Sequence, residues 1–172
     1  MNITLIREVG LALLLVLLQA VVFNQIHLFG LAIPLVFIYV IFRLPVGLST
    51  VWVLTISFLL GLVVDIVSNT PGMNALACTV MAFLRRPVFT LYLPHGNDYN
   101  AEKPSLREFG MWLYVRYAFT LTLLYCILLF TIESLSFFDL PYMILRIVCS
   151  TLLTFVFILC IDSFGQQREK RL

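Results

Sequence analysis

In the run GLVVDIVSNTPG, Gly61 to Gly72, one carboxylate, Asp65, interrupts an apolar segment a few residues before a Ser-Asn-Thr-Pro-Gly turn. A charge among apolar neighbours is expensive to desolvate and calls for a partner. Arg146, set in a second apolar run, is one choice, and an Asp65–Arg146 salt bridge would spare each an unpaired charge. The other reading leaves Asp65 at the interface or on the amides of the turn, with Arg146 snorkelling outward. Arg116, flanked by Tyr114 and Tyr117, has the surroundings of a side chain that reaches toward lipid phosphates. His95, Asp98 and Glu102 have the residue types of a metal set, but a Pro- and Gly-bounded polar loop is a poor frame for one. Cys78, Cys126, Cys149 and Cys160 fall in apolar runs without paired spacing and read as small packing residues. There is no Gly-rich phosphate loop, no Ser-His-Asp arrangement and no pair of intramembrane carboxylates. The residues therefore predict neither enzyme nor metal site nor cofactor.

The elements that position these groups follow from composition. The chain has 172 residues, 62% hydrophobic and 12% charged, and charge that sparse cannot cover a globular surface. With a mean hydropathy of +1.04 it is expected in a membrane. A net charge of +2 is too small to point to nucleic acid. Residues 9–42 carry no charge and exceed the ~20 residues of one crossing, so the polar patch Asn24, Gln25, His27 and the following Gly30 are read as a reversal. The predicted fold class is an all-α integral membrane protein, a single domain of six transmembrane helices at about 9–23, 28–43, 46–67, 73–86, 111–132 and 141–161. The fourth span is ended at Arg85 and Arg86 because each would cost about 2.5–3.5 kcal/mol in hydrocarbon, with Pro87 marking the break. That leaves 87–110 as a loop and 162–172 as a basic tail. Ser105 and Glu108 have the spacing of a capping box ahead of the fifth span. Arg7, Arg43, Arg85, Arg86, Lys103, Arg107, Arg168, Lys170 and Arg171 all fall on one side of this arrangement, which the positive-inside rule makes cytoplasmic together with both termini. Arg85, Arg86 and Arg116 are expected at that lipid interface, where anionic lipid would meet them.

The fourth span carries Ala75, Cys78 and Ala82 at spacings of three and four, a stripe of small side chains that lets another helix approach closely. The neighbour is either a helix of the same bundle or a partner's transmembrane helix.

The stretch FLLGLVVDIVSNTPGMNALACTVMAFLR, Phe58 to Arg85, resembles the bacterial rod shape-determining MreD family. In that family a Gly-Leu-x-x-Asp run ends one helix, a Pro- or Gly-containing turn follows, and an Ala/Leu-rich helix closes on basic residues. The matching positions are Gly61, Leu62, Asp65, Pro71, Gly72, Ala75, Leu76 and Ala77, while Asn74 stands where other members often carry a different polar residue. The resemblance implies a multi-pass protein of the bacterial cytoplasmic membrane that pairs with the bitopic protein MreC. Through it the chain would join the cell-elongation machinery of peptidoglycan synthesis, with the MreB filament, RodA and a penicillin-binding transpeptidase. Gly61, Asp65, Pro71, Gly72, Asn74, Ala75, Cys78, Ala82 and Arg146 are the expected partner-binding or bundle-organising residues. The family is also similar in fold to the S-components of energy-coupling-factor transporters, which leaves an alternative: a vitamin-type binding subunit with Asp65, Asn69, Asn74 and Arg146 lining an outward pocket. Against it, the first span lacks the Ala-x-x-x-Ala surface used there for docking.

Overall fold

The computed structural model describes residues 10, 14–19, 33–45, 47–92, 111–134 and 140–169. All regular structure among them is helical. A 3-10 turn, Val36–Ile38, runs into the short helix α1, Tyr39–Arg43. Then come α2, Thr50–Ser68; α3, Met73–Tyr92; α4, Met111–Ser134; and α5, Leu140–Glu169. The last four contain the stretches long and apolar enough to cross a membrane: Thr50–Ser68, Met73–Tyr92, Trp112–Ser134 and Pro141–Ser163. At 1.5 Å per residue, each is about 28–35 Å long, which matches a hydrocarbon layer of about 30 Å. Consecutive long helices pack against one another, α2 on α3, α3 on α4 and α4 on α5.

The distribution of side chains is that of a lipid-solvated bundle. Large apolar residues such as Val51, Phe58, Ile66, Ile144, Leu152 and Val156 are exposed, whereas Ser57, Asp65, Asn74, Thr122, Thr154 and Asp162 are buried. Hydrocarbon offers polar groups no partner, so they turn inward, most of them onto partners in the protein, while Ser57 Oγ is buried without one among the described residues. Around them packs a core of Phe37, Tyr39, Phe42, Met81, Tyr125 and Phe130.

Four boundaries differ from the sequence expectation. Within the span expected at 28–43, Ile33–Leu35 is not helical, and a 3-10 turn follows from Val36. Pro34 has no amide hydrogen and pushes the residue before it toward an extended conformation. The freed amides are met by side chains: Ile33 N–H donates to Ser150 Oγ at 3.1 Å, Leu35 N–H to Thr154 Oγ1 at 3.0 Å and Val36 N–H to Gln19 Oε1 at 3.0 Å. Irregular backbone at membrane depth is stable only when buried in protein in this way. Beyond this segment, Tyr39 donates its hydroxyl to Asp162 Oδ1 at 2.8 Å and ties α1 to α5.

The third span, expected from residue 46, begins as a helix at Thr50, because Pro45 and the turn around Gly47 and Leu48 occupy the intervening residues. The fourth does not end at the arginine pair, since α3 continues through Pro87 to Tyr92. Arg85 has protein partners, so the hydrocarbon penalty that set the expected boundary is not incurred. The sixth, expected to end near 161, continues as helix to Glu169 through Gln and Arg, which are good helix formers in water. The fifth agrees to within two residues. Of the first span, residues 14–18 are helical. His95, Asp98, Glu102, Ser105, Glu108 and the remaining 93–110 loop lie outside the described residues.

Candidate functional site: the Asp65 hairpin

α2 ends on Asn69, which adopts the left-handed conformation (φ 54°, ψ 40°), one that Asn tolerates better than most residues. Thr70 N–H then donates back to the Asp65 carbonyl at 3.0 Å, closing the helix in a Schellman-type turn. The chain reverses through Pro71 and Gly72, and the positive φ of Gly72, 76°, is one that a side chain would strain. Gly72 accepts the first α3 bond, from Leu76 N–H at 3.1 Å, so it holds the N-cap position without a capping side chain.

Asp65 supplies that cap from the preceding helix. Its Oδ1 accepts Asn74 N–H at 3.0 Å and its Oδ2 accepts Ala75 N–H at 2.8 Å, the second and third amides of α3. Oδ1 also accepts the Thr70 hydroxyl at 2.5 Å and the Asn74 side-chain amide at 2.9 Å. With four donors and the N-terminal end of a helix beside it, the carboxyl group is fully partnered at 4% exposure without an arginine. Asn74 carries the network inward: its Oδ1 accepts the hydroxyl of Tyr125, a fully buried residue of α4. Asp65, Thr70, Asn74 and Tyr125 thus tie three helices together with hydrogen bonds.

Backbone proximity makes this possible. A Cβ on Gly61 would lie 2.6 Å from Ala75 Cα and 2.7 Å from the Asn74 carbonyl oxygen, so only glycine lets α2 and α3 cross here. Ala75, Cys78 and Ala82 are buried in the bundle, where their stripe organises this packing, and Ala75 also reaches the floor of the groove outside it. The outward surface beside the hairpin is a groove of about 830 Å³ between α2 and α3, whose lining includes Phe58, Leu62, Ile66, Asn69, Leu76 and Thr79.

Arg146 is not brought to Asp65. Its Nη1 donates to Glu133 Oε1 at 2.8 Å, and its guanidinium lies 4.7 Å from the Phe130 ring centroid and 6.0 Å from that of Tyr142. The nearby end of α4 supplies an acid and an aromatic face, so the long-range pair has no reason to form. Of the outward pocket expected from Asp65, Asn69, Asn74 and Arg146, Asp65 and Asn69 line the α2–α3 groove, whereas Asn74 is turned inward to Tyr125 and Arg146 is held by Glu133.

Arg85 is also placed differently from the expectation at the lipid interface. At 5% exposure it points into the bundle, where Nε donates to Tyr117 Oη at 3.1 Å and Nη2 to the carbonyls of Phe42, at 3.5 Å, and Leu44. It closes the C-terminal end of α1, where free carbonyls favour a cation. Arg86 is exposed and reaches the α1–α2 turn, donating to Thr50 Oγ1 at 3.1 Å and to the Leu48 carbonyl at 3.0 Å. Arg116 is exposed, with its guanidinium 6.0 Å from the centroid of Trp112.

Sequence reasoning missed Thr70, Tyr125, Glu133, Ser150, Thr154 and Asp162. Ser150 and Thr154 did carry a signal, two hydroxyls one helical turn apart in a run otherwise rich in Leu and Val. Among the described residues no group of three or more His, Cys, Asp or Glu is placed to hold a metal ion. The comparisons with protein-family models, with curated proteins and with solved structures yield no match to this chain.

Proposed function

We propose that the chain is a non-enzymatic scaffold of the bacterial cell-elongation machinery, crossing the cytoplasmic membrane six times with both termini inside. Its partner in this reading is an MreC-type bitopic protein, and through that protein the MreB filament, RodA and a penicillin-binding transpeptidase. The supporting observation is the hairpin: the polar groups around Asp65 are spent on fixing how α2, α3 and α4 meet, while the α2–α3 groove beside them stays open and largely apolar. A site built for chemistry would keep polar groups free for a substrate. This one uses them to hold a surface in shape. Small residues at the groove base, Gly72 and Ala75, flanked by Phe58, Ile66 and Leu76, suit the close approach of a single transmembrane helix. Basic residues at the opposite end of the bundle add attraction for anionic lipid, about 1 kcal/mol each near a charged surface.

Purification of the full chain from its native membrane in mild detergent tests the reading. The scaffold predicts an MreC-type bitopic protein in constant ratio with the chain. A retained vitamin-like small molecule with no such protein would replace the scaffold by the S-component-like alternative.

A further inference from the structure

We propose that the notch between the α1–α2 turn and α3 is a phosphate site that takes the phosphodiester of an anionic lipid. Arg86 is its principal donor. The guanidinium has five N–H groups, and the bonds to Thr50 and Leu48 use two of them, which fixes the fork beside the first turn of α2 and leaves three for a ligand. α2 has no side-chain cap: Ser49 occupies the N-cap position without a capping hydrogen bond, so the positive end of a 19-residue helix faces the same place. Arg85 stands behind. Its Nε and Nη2 are spent inside the bundle, its Nη1 has no hydrogen-bond partner among the described residues, and no carboxylate among them pairs with either arginine. Two adjacent arginines and the first turn of α2 thus line one notch, with no carboxylate among the described residues paired to either arginine. Between them is a small cavity of about 20 Å³ lined by residues including Pro45, Leu48, Thr50, Arg85 and Arg86, its accessible surface mostly apolar.

A lipid is favoured over a free phosphate by the walls. Phe83 and Phe89 line the same cavity, with Phe83 largely exposed, and Trp52 is exposed in the first turn of α2. These are surfaces for acyl chains and for the headgroup layer. α2 is about 28 Å long, so its first turn lies at one boundary of the hydrocarbon, where phosphodiesters begin. The inference deepens the lipid part of the proposed function and depends on membrane placement alone. Lipid retention without partner capture would count against the scaffold and leave this site standing.

The test is native mass spectrometry of the full chain in neutral detergent, titrated with phosphatidylglycerol, with phosphatidylcholine, or with phosphatidylglycerol plus inorganic phosphate. The site predicts retention of phosphatidylglycerol over phosphatidylcholine. It also predicts an affinity loss in Arg86→Gln several times larger than the roughly fivefold loss that general attraction gives any interfacial arginine, which is all that Arg116→Gln should show. Unchanged affinity in Arg86→Gln, or an equal loss in Arg116→Gln, overturns the proposal, as does displacement of the lipid by inorganic phosphate at equal concentration. If Arg86→Gln loses helicity by circular dichroism, Arg86→Lys decides: it keeps the charge and removes the fork, and undiminished retention there overturns the proposal.

Discussion

Asp65 is a cap supplied across a turn, and its substitutions separate charge from shape. Asp65→Asn keeps the volume, removes the charge and turns one acceptor into a donor that faces backbone amides. The expected loss is about 1–3 kcal/mol, read as a lowered unfolding temperature in detergent. Asp65→Ala is expected to lose more, because three backbone and side-chain amides and a hydroxyl lose their acceptor. Equal stability of both variants with the parent would contradict the capping role. Tyr125→Phe removes the bond to Asn74 together with the hydroxyl's contact with Cys78, and is expected to cost about 1 kcal/mol. Gly61→Ala meets backbone at 2.6 Å and should prevent the α2–α3 crossing, seen as loss of the monodisperse species in gel filtration. The position of Asp65 was legible in the sequence because a lone carboxylate in an apolar run needs a partner. The partner was left open between Arg146 and the amides of the turn, and the amides hold it: residues nine and ten positions on supply them from their backbone.

At the scale of elements, apolar periods and turn residues were enough to locate α2 through α5, but not the ends of α3 and α5 or the non-helical Ile33–Leu35 before α1. α5 runs on into water through good helix formers, whereas the other two share an origin. A boundary argued from the cost of a polar group in lipid assumes that the group meets lipid, and here Arg85 and the amides around Pro34 meet protein. The non-helical segment rests on two α5 hydroxyls and Gln19. The double change Ser150→Ala, Thr154→Ala should therefore destabilise the bundle by about 2 kcal/mol or more, because two amides are left unsatisfied in an apolar interior. Thermal unfolding in detergent measures this, and an unchanged midpoint would show that other groups hold Ile33–Leu35. On the α4–α5 pair, a double-mutant cycle of Arg146→Gln and Glu133→Gln should give a coupling energy of about 0.5–1 kcal/mol.

For the molecule as a whole, the polar interior and apolar exterior define a membrane bundle, and composition alone announced it. What composition did not reveal is how the polar groups are spent. Capping α3, closing α1 and pinning the non-helical segment before it engage Asp65, Asn74, Arg85, Ser150 and Thr154 in holding helices together. A protein that spends its buried polarity this way is suited to presenting a fixed surface. The α2–α3 groove is the surface to probe, and Leu76 and Phe58 lie on it with their side chains exposed.

The most direct measurement is in-cell photocrosslinking from Leu76 and Phe58, with Leu152 and Val156 on the exposed face of α5 as controls. The account predicts that the groove positions capture an MreC-type bitopic protein through its transmembrane segment and that the α5 positions do not. Capture of that protein equally from both faces, or from neither, would contradict it.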